Sequence, residues 1–342
     1  MSRAVASAVE KDELFIPLID FSLFLHGTPS EKQSTATAIL DGFKRAGFIY
    51  IKKHGISPET VSTVFSQSAS FFARPQAQKD ALAWTTPESN RGYVAHGREK
   101  VTQLESRGDV DALRQAIPDL KESMEIGRES DAKYPNNWPD GFDDEGKTFK
   151  ETMLGFFDEC KDLHMQIMRA IALGLGIDEK WFDGYTDVGD NNLRLLHYPS
   201  VEKSVFKAKK GQVRAGEHSD YGSITLLFQD DRGGLQVESP LGTFVDATPI
   251  PDTIVINAGD LLARWSNDTI KSTKHRVVEP PLKPDQEQSD VYPARYSVAY
   301  FCNPNFDKYI EAIPGTFGET AEKKYPGINS GEYLVQRLAA TY

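Results

Sequence analysis

Cysteine is almost absent: Cys160 and Cys302 are the two thiols in a chain of 342 residues. Two thiols make no disulfide framework, so the fold must rest on burial, and a reducing compartment is expected. Long apolar runs are missing as well. None approaches the ~20 residues a membrane-spanning helix needs. Met1 to Glu13 lacks the apolar centre of a signal peptide and reads as a loose tail. A soluble cytoplasmic protein with no membrane partner is the expectation. Positive charge is in deficit, with 39 Lys and Arg against 50 Asp and Glu and a net charge of −11. That balance argues against a nucleic-acid partner, and the short run Lys207-Ala208-Lys209-Lys210 reads as a solvated loop. Internal repeats and low-complexity linkers are also lacking.

What is present suffices for a full core: 39% of residues are hydrophobic and 26% charged. Short strand and helix signals alternate early. A helix is expected over about Ser30 to Arg45, a strand over Phe48 to Lys52, and another helix after Ser57-Pro58, where proline suits the first helical position. Residues 100–140 are charged and carry Pro118, Pro135 and Pro139, which suggests an irregular excursion or lid. Phe149 to Leu175 has Met153, Phe156, Phe157, Cys160, Leu163, Ile167 and Ile171 at helical spacing. From Asn192 to Pro304 the chain reads as short strands broken by Gly, Pro and Asp turns. The expected fold class is α+β: a double-stranded β-helix (jelly-roll) core at about 192–304, buttressed by helices and preceded by a strand and helix leader. Residues 14–140 would form the leader and 141–342 the core region, in one structural unit.

The chemistry starts at His218-Ser219-Asp220, with His275-Arg276-Val277 further on. Two imidazoles and a carboxylate are the ligand set of the facial triad that holds non-haem Fe(II) with positions left open. On a strand, residues two apart share a face, so His218 and Asp220 can reach one ion while Ser219 points away. His275 would arrive from a second strand. Arg295-Tyr296-Ser297 opens another apolar run, with Arg295 and Ser297 on one face. A guanidinium fork beside a hydroxyl suits the far carboxylate of a dicarboxylic acid. In Asn192 to Pro199, Arg194, Leu196 and Tyr198 share a face, and Tyr198 could donate to the same carboxylate. A metal triad plus a dicarboxylate anchor suggests a keto acid that chelates iron.

Together these motifs resemble the Fe(II)/2-oxoglutarate-dependent dioxygenases of the isopenicillin-N-synthase-like branch, over nearly the whole chain. The likeness is carried by Ile16-Pro17-Leu18-Ile19-Asp20, the run Gly47 to Ile56, Phe71-Phe72, His218 to Gly222, Gly233 to Val237, Asn257 to Asp260, Ser272 to Val277 and Arg295 to Ser297. Within the family the chain is similar to the fungal thymine dioxygenases (thymine 7-hydroxylases) at Trp84 to Pro87, Arg91 to Tyr93, Leu193 to Pro199, Arg264 to Lys271 and the C-terminal stretch from Gly327. Two departures stand out. Leu196 occupies the place of an asparagine that could help hold the keto acid's near carboxylate. Arg295 also lies farther beyond His275 than is usual, across the Pro-rich stretch 280–290, which reads as an exposed hairpin excursion.

The resemblance implies catalytic Fe(II) on His218, Asp220 and His275, with 2-oxoglutarate and O2 as co-substrates and ascorbate as a stimulant. The keto acid would be anchored by Arg295, Ser297 and Tyr198. It also implies hydroxylation of a small molecule, a pyrimidine base being favoured and the methyl group of thymine first. Strand parity nominates Arg194, Phe301, Tyr221 and Asn192 for the substrate. A flat polar ring fits between aromatic walls, with a donor at its carbonyl edge. Each has a structural alternative: Phe301 and Tyr221 as core, Arg194 paired to a carboxylate, Asn192 or Asn303 as turn residues. A sibling oxygenase of an amino acid or fungal metabolite, or a ligand-binding protein that kept the fold, are the competing readings.

Other residues are set aside. His197 alternates away from Tyr198 and Arg276 away from His275. His54 reads as a turn residue, and His26, His96 and His164 lack ligand spacing. Gly233-Gly234 reads as a barrel turn. Asp260 reads as a turn carboxylate or an orienter of the metal ligands.

Overall fold

A computed structural model describes residues 6–97, 119–208, 212–281, 289–318 and 322–341. The N-terminal part supplies β1 (Ala6–Lys11), β2 (Leu14–Asp20), β3 (Phe48–Lys52), β4 (Gly92–Val94) and β5 (Glu122–Gly127). Next come β6 (Asn192–Tyr198), β7 (Val201–Glu202), β8 (Ala215–His218), β9 (Ile224–Gln229), β10 (Leu235–Glu238), β11 (Phe244–Asp246) and β12 (Thr253–Ala258). The chain then forms β13 (His275–Val277), β14 (Val291–Tyr292) and β15 (Arg295–Cys302). The large sheet has the order β1-β2-β3-β12-β9-β15-β6-β5-β4, and a smaller one runs β11-β10-β13-β8.

Alternation along the central strands sorts the two faces. Leu193, Leu195, Val298, Tyr300, Ile254 and Ile256 join Phe149, Met153, Phe156 and Phe157 of the helix Asp144–Gly174 in one buried apolar cluster. Leu196, Tyr198 and Ala299 face the other way and share a second cluster with Ala215, Leu235, Val237 and Val277 of the small sheet. The jelly roll is therefore two sheets closed over an apolar interior, with the long helix packed outside. That helix begins where the Asp143 side chain accepts from the Gly146 amide at 2.7 Å. The helices Pro29–Arg45 and Pro58–Phe72 start at capping residues Thr28 and Ser57, each with proline in the first turn. At Gly174 a Cβ would stand 2.8 Å from the Ala36 carbonyl, so glycine lets the long helix approach Pro29–Arg45. No described helix is long and apolar enough to cross a membrane.

The fold departs from the sequence reading in several places. Ala6–Lys11 is not a tail but a strand paired antiparallel with β2. Asp12 and Glu13, at φ 51° and 63°, turn the chain between them, as a two-residue hairpin requires. Within the irregular excursion, β5 is a fully buried strand paired with β4 and β6. Its acidic residues hid it: Glu122 is met by Lys79, Tyr93 and His197, and Glu125 by Arg194. Residues 98–118, where a lid was expected, lie outside the described residues. Residues 282–288 of the Pro-rich stretch do too. Beyond it, β14 pairs with β7 rather than folding back on β13, so its flanks are not one hairpin. The basic run begins inside the helix Lys203–Ala208, which corrects the loop reading for Lys207 and Ala208; Lys209 and Lys210 lie outside the described residues.

Candidate active site

The three expected ligands converge. His218 ends β8 and His275 begins β13, and the two are direct partners across the small sheet with ring centroids 4.2 Å apart. Asp220 lies past the end of β8, so a turn, not strand parity, delivers its carboxylate. Its Oδ1 stands 3.8 Å from His218 Nε2 and 3.7 Å from His275 Nε2. Among the described residues these three form the one cluster of candidate metal ligands, all within 4.8 Å of one another.

The surroundings orient each donor. His218 Nδ1 lies 2.7 Å from the Gly216 carbonyl, which commits that nitrogen to the backbone and turns Nε2 inward. His275 Nδ1 faces the Thr273 carbonyl at 3.4 Å, and Phe48 meets its ring edge-on. Asp220 Oδ2 accepts from Asn257 Nδ2 at 2.7 Å and from Thr225 Oγ1, leaving Oδ1 for the imidazoles. Burial raises the Asp220 pKa, but the charges of His275 and His218 and the two hydrogen bonds outweigh it and hold it below the ordinary carboxylate value. Burial, with repulsion from His275, lowers His218 to about 3. A carboxylate beside a neutral imidazole is the protonation state that takes a cation.

Asp260 does more than turn the chain. Its backbone N–H donates to the Asp220 carbonyl at 2.7 Å, and its carboxylate accepts from Ser219, Ser272 and Arg337. It therefore fixes the ligand loop, which corrects the turn-carboxylate reading in favour of the orienting one. The loop also packs tightly: a Cβ on Gly259 would come within 2.4 Å of the Gly222 carbonyl.

Arg295 is 1% exposed. Its Nε donates to the Gly233 carbonyl at 2.8 Å and its Nη1 to Ser297 Oγ at 3.2 Å, with Gln229 Oε1 3.4 Å from Nη2. The guanidinium also lies 4.9 Å from the Tyr198 ring centroid. Every one of these partners is neutral. A buried cation held this way is costly until an anion joins it, so the residues present fit the far carboxylate of a keto acid. Fully buried Arg214, lowered to about 10 by burial and by Arg295, donates to the Tyr198 and Pro293 carbonyls and ties β6 to the start of β15.

The remaining nominees, Arg194, Tyr221, Phe301 and Asn192, line the same cavity as the triad, Arg295, Ser297 and Tyr198. Arg194 is paired with Glu125 at 2.7 Å, as its structural alternative held, while its guanidinium lies 5.0 Å from the Phe301 ring centroid. Asn192 is a strand residue whose Nδ2 donates to the Asn90 carbonyl, while its buried Oδ1 has no hydrogen-bond partner. Tyr221 is covered by the guanidinium of Arg337, 4.6 Å from its ring centroid.

Sequence reading missed several cavity residues: Asn90, Lys121, Leu334 and Leu338. Leu334 and Leu338 belong to the C-terminal helix Ser330–Thr341, within a stretch that carried the family likeness but offered no sign that it reaches the cavity. Gly233 was visible as a turn, but its carbonyl's bond to Arg295 was not. His197 does point away, between Glu122 and a stacked Tyr296. His54 sits between Lys53 and Gly55, both at positive φ, as a turn residue does, and it is also buried; burial lowers it to about 4.

Comparison with known proteins agrees with this geometry. Residues 16–141 match the family model described as non-haem dioxygenase in morphine synthesis, N-terminal, and residues 189–304 match the 2OG-Fe(II) oxygenase superfamily. A 2-oxoglutarate-Fe(II) type oxidoreductase of Metarhizium rileyi is 36% identical over 95% of this chain and 90% of its own. A proline hydroxylase of Petromyces alliaceus is 32% identical over 95% and 98%. The crystal structure of full-length Neurospora crassa thymine 7-hydroxylase with 2-oxoglutarate and thymine superposes with a TM-score of 0.90. It is 63% identical and covers 98% of this chain and 100% of that one. The chain belongs to the 2OG-Fe(II) oxygenase superfamily and is a 2-oxoglutarate-dependent dioxygenase that uses Fe(II), 2-oxoglutarate and O2.

Proposed function

We propose that this dioxygenase hydroxylates the methyl group of thymine, with oxidation of 2-oxoglutarate to succinate and CO2. In this reading His218, Asp220 and His275 hold Fe(II), and Arg295, Ser297 and Tyr198 hold the far carboxylate of the keto acid. When bound, iron and keto acid supply the oxidising power; the protein binds, orients and excludes water. The observation that carries the reading is Asn192 Oδ1, a buried acceptor without a partner in the cavity wall. An unpaired buried acceptor costs about 1–3 kcal/mol, and a ring N–H of a pyrimidine relieves that cost. Arg194 offers donors for a ring carbonyl, with Phe301 and Tyr221 as flat walls. The thymine complex of the Neurospora relative supports the same ligand class.

The competing reading, an amino acid or fungal metabolite, is represented by the proline hydroxylase among the relatives. It fits the cavity less well. An amino acid needs a second carboxylate anchor, and Arg194 is already neutralised by Glu125. The test is succinate release against a panel of thymine, N-methylated thymines and proline. Thymine should stimulate it, and methylation of the nitrogen facing Asn192 should abolish the stimulation. Stimulation by proline and not by thymine would overturn the proposal.

A further inference from the structure

Besides Arg295 and Arg194, a third cation lines the cavity and has no part in the roles assigned so far. Lys121 is 5% exposed and lines the same cavity as the triad and Arg295. Its position follows from the backbone on both sides. Leu120 N–H donates to the Arg214 carbonyl at 3.0 Å, and the Gly216 N–H donates to Asp119 Oδ1 at 3.3 Å. The segment thus bridges from β6 toward β8, the strand that ends in His218. On the other side, Glu122 pairs with His197 across β5 and β6. Its carboxylate is pinned outside the cavity by Lys79 at 2.9 Å, by His197 at 2.7 Å and by Tyr93. Alternation then turns Lys121 inward.

The β5–β6 pairing ends at Glu122 opposite His197, so continuing it by one residue sets Lys121 toward Tyr198, which faces Arg295 on β15. Arg295, Tyr198 and Lys121 therefore form a row across the sheet on its cavity face. The two cations flank the phenol. Gly216, whose N–H donates to Asp119, offers its carbonyl to His218 Nδ1 at 2.7 Å, so the segment that carries Lys121 borders the metal end of the cavity. Diagonal to Lys121 lies Leu196, the partner of Ser123 and an apolar wall that cannot donate to an anion. Asp119 Oδ2 forms an ion pair with the ammonium at 4.0 Å, which keeps the side chain on this wall of the cavity.

We propose that Lys121 is a positioning residue for the keto acid, holding the carboxylate next to its keto group while Arg295 holds the far one. A dicarboxylate is then gripped by a cation at each end, and its direction in the cavity is set by the guanidinium fork at one end and a point charge at the other. The assignment concerns the co-substrate and stands whichever organic molecule is oxidised.

The test is anaerobic calorimetric titration of the Fe(II)-loaded protein with 2-oxoglutarate and with the monocarboxylate 2-oxobutyrate, which keeps the keto-acid head and lacks the far carboxylate. K121M should weaken both ligands by the same factor, roughly ten- to a hundred-fold. R295M should weaken 2-oxoglutarate alone. Circular dichroism checks that each variant is folded; if K121M is not, K121Q carries the same comparison. Unchanged affinities in the folded variant, or a loss confined to 2-oxoglutarate, would overturn the assignment.

Discussion

Replacing Arg295 with methionine should uncouple stability from function in opposite directions. The side chain is 1% exposed and its described partners are the Gly233 carbonyl, the Ser297 hydroxyl and the Gln229 amide oxygen, all neutral. Removing it forfeits three hydrogen bonds of about 1 kcal/mol each. It also lifts the desolvation cost of an unpaired buried cation, several kcal/mol per ion, and methionine fills much of the volume. The ligand-free R295M protein should therefore be about as stable as the parent or up to ~2 kcal/mol more so, a rise of a few degrees in Tm. Keto-acid binding should behave oppositely. Losing one partner of a buried charge pair costs about 2–5 kcal/mol, a thirty-fold or greater loss of affinity. Thermal melts under nitrogen, with a redox-inert divalent metal and increasing 2-oxoglutarate, read both effects. The parent Tm should climb with ligand by mass action, and the variant Tm should not. A ligand-free variant several kcal/mol less stable, or one that still climbs with 2-oxoglutarate, would refute the reasoning.

Four further outcomes are expected. Asn257→Ala removes a donor to Asp220 Oδ2 and should cost 10–100-fold in metal affinity with the fold intact, read by Fe(II) titration against a competing chelator. Acid should destabilise the metal-free protein early: burial lowers His164 and His218 to about 3, so below pH 6.5 the unfolded chain takes protons the native one refuses. Each contributes a loss of about 1.4 kcal/mol per pH unit on the way down to pH 4. His164→Leu, which removes a ring with neither nitrogen bonded, should flatten that acid limb in urea melts. Leu338→Asp, in the C-terminal helix wall of the cavity, should let water in and raise the ratio of succinate formed to substrate oxidised. Phe301→Ala should raise the KM for thymine far more than that for 2-oxoglutarate, and equal effects would remove Phe301 from the substrate pocket.

Much of the site was legible in the sequence because it rides on regular central strands. In β6 and β15 parity is uninterrupted, so Arg194, Leu196 and Tyr198, and Arg295, Ser297 and Phe301, line the one cavity as spacing implies. Parity failed where a strand stopped: Asp220 reaches His218 and His275 from a turn, held by Asp260 and by glycine contacts that spacing alone cannot report. Composition misled at β5, since glutamates at a buried strand look like a loop until their partners, distant in sequence, are known. Lys121 enters the cavity from a segment with no motif of its own, and Leu338 from a stretch whose likeness to relatives says nothing about where it packs. Only tertiary structure brings them in.

The most direct test of the central claim is to incubate the Fe(II)-loaded protein with 2-oxoglutarate and thymine under isotopically heavy O2, then weigh the base by mass spectrometry alongside succinate. The account predicts thymine heavier by one heavy oxygen atom, formed with succinate and lost in His218→Ala. Unchanged thymine with only a substrate-independent trickle of succinate would contradict it.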